Sequence, residues 1–90
     1  MLTKHLLIEG NVQGVFYRAS AKEKADLLQL TGWVRNTAAG NVEAVVSGIE
    51  ENIAAFVEWC RSGPARAQVT NVTVRDTVQS NFAGFNIIRD

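Results

Sequence analysis

One arginine and the loop before it are the strongest candidates for chemistry in this sequence. Residues 11–17 have no helical periodicity, contain Gly14, and lead into a segment with helical periodicity that begins at Arg18. A helix N-terminus has unpaired N–H groups and a partial positive charge, and a glycine lets successive N–H groups converge. The Arg18 guanidinium can hold two oxygens of one phosphate or carboxylate. The pattern therefore predicts a site for a small dianion.

The residues for several other chemistries are missing. The sequence has one histidine, His5, and one cysteine, Cys60, with no CxxC motif. Because protein metal sites need several such ligands, we expect no metal. The loop GxxxxGK[ST] is also absent, so a nucleoside triphosphate is not implied. Cys60 lies on an apolar helical stripe and His5 lies within a predicted strand, and we interpret both as structural residues.

Charge and composition restrict the partners. Nine Lys and Arg residues balance nine Asp and Glu residues. Tight binding to nucleic acid or to an anionic membrane needs clustered positive charge, so we expect neither partner. A 90-residue chain with 47% apolar residues and one cysteine is typical of a single domain, residues 1–90, without disulfides. The N-terminal MLTKHLLIEG is too short and too polar for a secretory signal, so we expect a cytoplasmic protein, and a monomer.

Hydrophobic periodicity predicts strands and helices in a regular order. The segments are a strand at 3–10, a helix at 18–30, strands at 33–37 and 42–47, a helix at 49–62, and strands at 69–78 and 85–88. Gly32 is predicted to end the first helix. The order βαββαβ, with a short extra C-terminal strand, predicts an α+β fold. We expect a ferredoxin-like α/β sandwich, in which two helices cover one face of an antiparallel sheet.

This topology brings two distant polar residues to one edge of the sheet. The first helix returns the chain across the sheet, so the first and second strands run parallel and are separated by the third. The loop at 11–17 leaves the first strand at the edge where Asn36 ends the second. We expect Arg18 and Asn36 to be neighbours. A purely structural interpretation, with Arg18 at a helix end and Asn36 at a strand end, stays open at this point.

Two segments of the sequence resemble the signatures of the acylphosphatase family. The run GNVQGVFYR at 10–18 is similar to the first signature. The run GWVRN at 32–36, followed by Gly40-Asn41-Val42-Glu43 and Gly48, is similar to the second. The resemblance extends over essentially the whole chain. Only the hairpin turn Ala38-Ala39 is less polar than the turns we associate with the family.

The resemblance implies an activity and the residues for it. Members hydrolyse acyl phosphates to a carboxylate and inorganic phosphate without a metal or cofactor. By this resemblance Asn36 would orient the attacking water, and Arg18 would bind the phosphoryl group together with loop N–H groups. Those N–H groups belong to Gln13, Gly14, Val15, Phe16, Tyr17 and Arg18.

These few groups suffice for such a reaction. Phosphoryl transfer needs mainly positioning and charge stabilisation, and the leaving carboxylate is already a stable anion. An amide has no useful basicity, so Asn36 would hold water while the proton passes to the substrate. The alternative is a non-catalytic ferredoxin-like module for anion binding or interaction. Related metal-binding domains need CxxC, and RNA-binding domains present aromatic residues on central strands, which residues 42–47 lack.

Overall fold

Alternating apolar residues form the strands and two amphipathic segments form the helices, as the periodicity predicts. The computed structural model describes residues 1–78 and 81–89. Within these residues, no helix is both long enough and apolar enough to span a membrane. The elements are β1 (Leu2–Asn11), α1 (Tyr17–Leu27), β2 (Thr31–Asn36), β3 (Val42–Gly48), α2 (Glu50–Ser62), β4 (Gln68–Asp76) and β5 (Phe85–Ile88).

The strand order confirms the ferredoxin-like fold and corrects one detail of it. The order is β4-β1-β3-β2-β5, with β3 between the parallel strands β1 and β2. All neighbours are antiparallel except β2 and β5, which pair in parallel. The sheet is therefore mixed, whereas an antiparallel sheet was predicted. The reason is that β4 and β5 are the outermost strands on opposite sides of the sheet. The chain returns from the end of β4 to the side of β2, and β5 then starts beside the beginning of β2 and runs in the same direction.

One face of the sheet packs against both helices. The strand residues on this face alternate with residues on the uncovered face, as a pleated strand requires. Cys60 is fully buried in the resulting core, which confirms its structural interpretation. The fully buried core also includes Leu6, Ile8, Val34, Val42, Val46 and Phe56.

The first helix ends earlier than predicted, and Gly32 does not end it. The last helical residue is Leu27, and Gln29 adopts a left-handed conformation with φ 57°. The N–H of Gln29 donates to the carbonyl of Asp26 (3.1 Å), and the N–H of Leu30 donates to that of Ala25 (2.9 Å). This is a Schellman motif, which satisfies the last carbonyls of the helix. Glycine usually occupies the left-handed position, so the glutamine there concealed the helix end.

Gly32 has a different role, inside β2. Its φ is 134°, and a Cβ at this position would collide with the carbonyl oxygen of Val45 on β3. Glycine is therefore required because the two strand backbones approach closely. This contact aligns β2 against β3 four residues before Asn36.

A cluster of charged side chains lies on the uncovered face. Glu43 on β3 accepts a hydrogen bond from Nε of Arg35 (2.6 Å), and its other oxygen lies 2.6 Å from Nε2 of His5. The guanidinium of Arg35 lies 5.6 Å from the centroid of the Trp33 ring. Burial raises the pKa of Glu43, but the hydrogen bonds from His5 and Arg35 outweigh it, and the net pKa is below its ordinary value. The cluster thus favours ionised Glu43 and joins β1, β2 and β3.

Replacement of Glu43 by glutamine is expected to flatten the acid dependence of stability. Because folding lowers the pKa of Glu43, its stabilisation is complete above about pH 4.5 and is lost as the pH falls through the lower folded value. Glu43→Gln should lower the free energy of unfolding by about 1–2 kcal/mol at neutral pH. On acidification, the free energy of unfolding of this variant should decrease less than that of the parent. Urea unfolding between neutral pH and pH 3 measures both. Glu23→Gln, on the exposed surface of α1, is the control, and an unchanged acid slope in Glu43→Gln would contradict the assignment.

Candidate active site

The carboxyl ends of β1, β2 and β5 meet at one edge of the sheet and border a cavity. Its volume is about 350 Å³. The structure brings Arg18 and Asn36 together here, as the topology predicts. The lining residues are Val12, Gly14, Phe16, Tyr17, Arg18, Ala19, Asn36 and Arg89. Among the described residues, the lining includes no carboxylate, imidazole or thiol, so the cavity is suited to an anion.

A second cavity adjoins the first on the side of β5. It has a volume of about 370 Å³ and is lined by Arg18, Asn36, Ile88 and Arg89. Arg89 was not among the residues singled out from the sequence. Its position follows from the parallel pairing of β5 with β2, which periodicity does not reveal. A predicted strand ending at Ile88 indicates only that Arg89 lies at a strand end.

The loop between β1 and α1 has an unusual backbone. Gly14 has φ 74°, and a Cβ there would meet nothing within 4 Å, so the requirement for glycine comes from the backbone conformation alone. Phe16 also has a left-handed conformation, with φ 63° and ψ 24°, at the N-cap of α1. This is rare for a bulky residue, and the Phe16 side chain is 76% exposed. Such strain is typical of functional loops, and left-handed residues in tight turns occur in anion-binding nests.

The side chain of Gln13 connects this loop to the hairpin after Asn36. Its amide nitrogen donates to the carbonyls of Thr37 (2.9 Å) and Asn41 (2.8 Å). The Thr37 N–H donates in turn to the Asn41 carbonyl (2.9 Å). Only the N–H of Gln13 was assigned a role from the sequence. The structure adds a link between the two segments that carry Arg18 and Asn36.

Tyr17 anchors the start of α1 to the end of α2. Its ring is buried and its centroid lies 5.4 Å from that of Trp59. Its hydroxyl donates to the carbonyl of Cys60 (2.7 Å). The helical partner of that carbonyl would be the N–H of residue 64, which is Pro64 and has none, so Tyr17 supplies the missing donor. The side chains of Tyr17 and Val15 thus belong to the packing of the core.

The two titratable groups at this anchor stay neutral. Burial raises the pKa of Tyr17 far above its ordinary value, and the neighbouring Cys60 adds to the effect. Burial also raises the pKa of the Cys60 thiol to about 12, despite opposing contributions from Tyr17 and Arg61. The phenol therefore remains a hydrogen-bond donor, and Cys60 is not a thiolate nucleophile.

The fold and the cavity define a class: a ferredoxin-like α/β sandwich in which the loop between β1 and α1 borders a cavity with Arg18 and Asn36. The family model described as Acylphosphatase matches residues 4–87. The acylphosphatase of Methylococcus capsulatus is 51% identical over 87 residues, covering 96% of this chain and 95% of the relative. The chain belongs to the acylphosphatase family. This membership confirms the prediction of an enzyme that hydrolyses acyl phosphates, over the alternative of a non-catalytic module.

Solved structures of acylphosphatases support the assignment of this chain to the family. The structure of an acylphosphatase from Coxiella burnetii superposes with a TM-score of 0.94 at 40% identity, covering 97% of this chain and 92% of the other. The crystal structure of acylphosphatase from Bacillus subtilis gives a TM-score of 0.96 at 32% identity, covering 99% and 100%. The five-stranded mixed sheet and two helices therefore match acylphosphatase structures.

Removal of the Tyr17 hydroxyl is expected to destabilise the fold. Tyr17→Phe retains the ring packing but leaves the buried Cys60 carbonyl without its donor, which should cost about 1–3 kcal/mol. For a domain of this size, each kcal/mol corresponds to a Tm decrease of about 4–8 °C. Differential scanning calorimetry measures the change. The control is Ser62→Ala, which removes an exposed hydroxyl that donates to Trp59 at the same helix end. Equal Tm values for Tyr17→Phe and the parent would refute the anchor.

Proposed function

We propose that Arg18 and the backbone N–H groups of residues 13–18 bind the phosphoryl group of a small acyl phosphate, while Asn36 holds the attacking water. The observation that carries this proposal is that Arg18 and Asn36 line one cavity with Gly14 and Phe16 of the loop. The bound group is a dianion, and the loop provides main-chain donors, a helix start and one guanidinium around it.

Stabilisation of charge is the main task of these groups. In phosphoryl transfer the negative charge spreads over three oxygens of the transferred group. Fixed N–H donors and the Arg18 fork surround those oxygens without reorganising during the reaction. One such preorganised donor is worth about 3–4 kcal/mol of transition-state stabilisation. The leaving carboxylate is a stable anion, so the reaction needs no strong general acid.

Water attack completes the reaction. Asn36 orients the water in line with the bond from phosphorus to the acyl oxygen, the new bond forms from water oxygen to phosphorus, and the acyl carboxylate leaves with its electron pair. Asn36 cannot take the proton. No carboxylate or imidazole of the described residues lines the cavity, so the proton passes to a phosphoryl oxygen of the substrate. The products are a carboxylate and inorganic phosphate.

We propose that the reaction needs no metal or cofactor, since guanidinium and N–H groups supply the positive charge. We also propose a cytoplasmic monomer that does not bind nucleic acid. The zero net charge supports the absence of nucleic-acid binding, and the single cysteine, which excludes an internal disulfide, supports the cytoplasmic location. The charged Glu43 at the centre of the uncovered sheet face supports the monomer. Edge strand β4 ends in charged residues, Arg75 and Asp76, which disfavour edge-to-edge pairing.

Two substitutions are expected to separate binding from turnover. Asn36→Ala should lower kcat for benzoyl phosphate by about 10²-fold or more, as loss of a preorganised catalytic contact does, with a nearly unchanged inhibition constant for phosphate. Arg18→Lys should weaken phosphate inhibition and lower kcat/KM, because lysine lacks the fork. Steady-state kinetics with inorganic phosphate as inhibitor measure both.

Matched controls lie elsewhere on the molecule. Asn71→Ala and Arg66→Lys change exposed residues on and near β4 and should leave kcat, KM and phosphate inhibition as in the parent. Full activity in Asn36→Ala would exclude the water-positioning role. Unchanged phosphate inhibition in Arg18→Lys would exclude bidentate binding.

Gln13 is proposed as a positioning residue. Gln13→Met has a similar shape but cannot donate to Thr37 and Asn41, so the hairpin and the loop lose their link. Misplacement of reacting groups by about 1 Å can cost up to about 100-fold in rate, and we expect kcat to fall at least about tenfold. Phosphate inhibition should change little, because the main-chain N–H groups remain. Gln68→Met is the control, and an equal loss of kcat and phosphate affinity would indicate collapse of the loop instead.

A further inference from the structure

Arg89 reaches the candidate active site through the parallel pairing of β5. In the β2–β5 register, Arg35 lies beside Ile88, so the next position along places Arg89 level with Asn36. Arg89 lines both cavities, each of which is also lined by Arg18 and Asn36. The C-terminal strand thus brings a second guanidinium to the edge where the proposed reaction occurs.

The two cavities divide the space around the reaction centre. The first is bordered by the loop residues Gly14 and Phe16, whereas the second is lined by none of the loop residues 12–17. A phosphoryl group bound to the loop fills only part of this space. The rest of the substrate then has room on the side of β5, beside Ile88 and Arg89. This assignment rests on the proposed function.

The charge of the second cavity indicates which substrates it favours. Its four lining residues are two arginines, one amide and one aliphatic residue, and no carboxylate of the described residues lines it. Arg35 and Arg61 lie within ion-pair distance of Glu43 and Glu58, but neither Arg18 nor Arg89 forms an ion pair with a carboxylate of residues 1–78 or 81–89. In the proposed function Arg18 binds the phosphoryl group, so Arg89 is the arginine of this cavity that can interact with the acyl group.

We infer that Arg89 is a specificity-determining residue that favours acyl phosphates with a second anionic group on the acyl chain. A carboxylate or a phosphate ester could pair with the guanidinium fork. Arg89 is exposed, so the preference is moderate and depends on ionic strength.

Two aroyl phosphates of similar shape test this preference. Para-carboxybenzoyl phosphate carries the second anion, and para-toluoyl phosphate is its neutral counterpart. The ratio of their kcat/KM values should fall about two- to fivefold in Arg89→Gln, in line with an exposed ion pair. The kcat/KM for para-toluoyl phosphate should stay within about twofold of the parent, because a residue that acts only on the acyl group leaves the neutral substrate unaffected. A third substrate with a phosphate ester in the para position distinguishes the two anions.

The matched control is Arg75→Gln. Arg75 is an exposed arginine on β4, the outermost strand on the side of the sheet away from β5, and its replacement should leave the ratio as in the parent. High salt should reduce the parent ratio towards that of Arg89→Gln. An unchanged ratio in Arg89→Gln would overturn the inference, and so would an equal loss with both substrates, since Arg89 would then act on the phosphoryl group. Both results leave the proposed function intact. If the parent hydrolysed neither substrate, the proposed function and this inference would both fail.

Discussion

The crossover of α1 between β1 and β2 is the constraint on which the site depends. It makes the two strands parallel, and β3 fills the space between them. Their carboxyl ends therefore lie on one edge, where the loop after β1 meets Asn36. β5 adds a third carboxyl end to the same edge, because it runs parallel to β2. Each of the three strand ends contributes one polar side chain or one main-chain loop to a common cavity.

Two side chains of the loop hold this edge in place through contacts with distant parts of the chain. Tyr17 replaces the N–H that Pro64 lacks and joins the start of α1 to the end of α2. Gln13 joins the loop to the hairpin that follows Asn36. These contacts offset the strained conformation of Phe16 at the start of α1. The proposed role of this loop, binding through main-chain groups, requires such support, because the positions of those groups depend on the backbone dihedral angles.

Charge is distributed unevenly in a protein with no net charge. Away from the edge, several cations pair with carboxylates, as Lys22 does with Asp26 and Arg35 does with Glu43. At the edge, Arg18 and Arg89 line cavities without a carboxylate from the described residues. The described side chains that line these cavities therefore carry positive charge, although the sequence as a whole is neutral. In the proposed reaction, whose transition state carries dispersed negative charge, these two guanidinium groups would supply stabilisation in cavities that no described carboxylate or imidazole lines.

The sequence by itself determined the family, the order of elements and the proximity of Arg18 to Asn36. These follow from two signature segments, from local periodicity and from the single helical crossover that makes the first and second strands parallel. The tertiary structure alone decided the parallel position of β5, and with it the location of Arg89. It also decided that Gly32 serves the approach of β2 to β3, and that Gln13 and Tyr17 act as links through their side chains. The physical reason is that these features are contacts between residues distant in the chain. Such contacts depend on which strand β5 pairs with and on the conformations of individual side chains, and the hydrophobic periodicity of a single segment encodes neither.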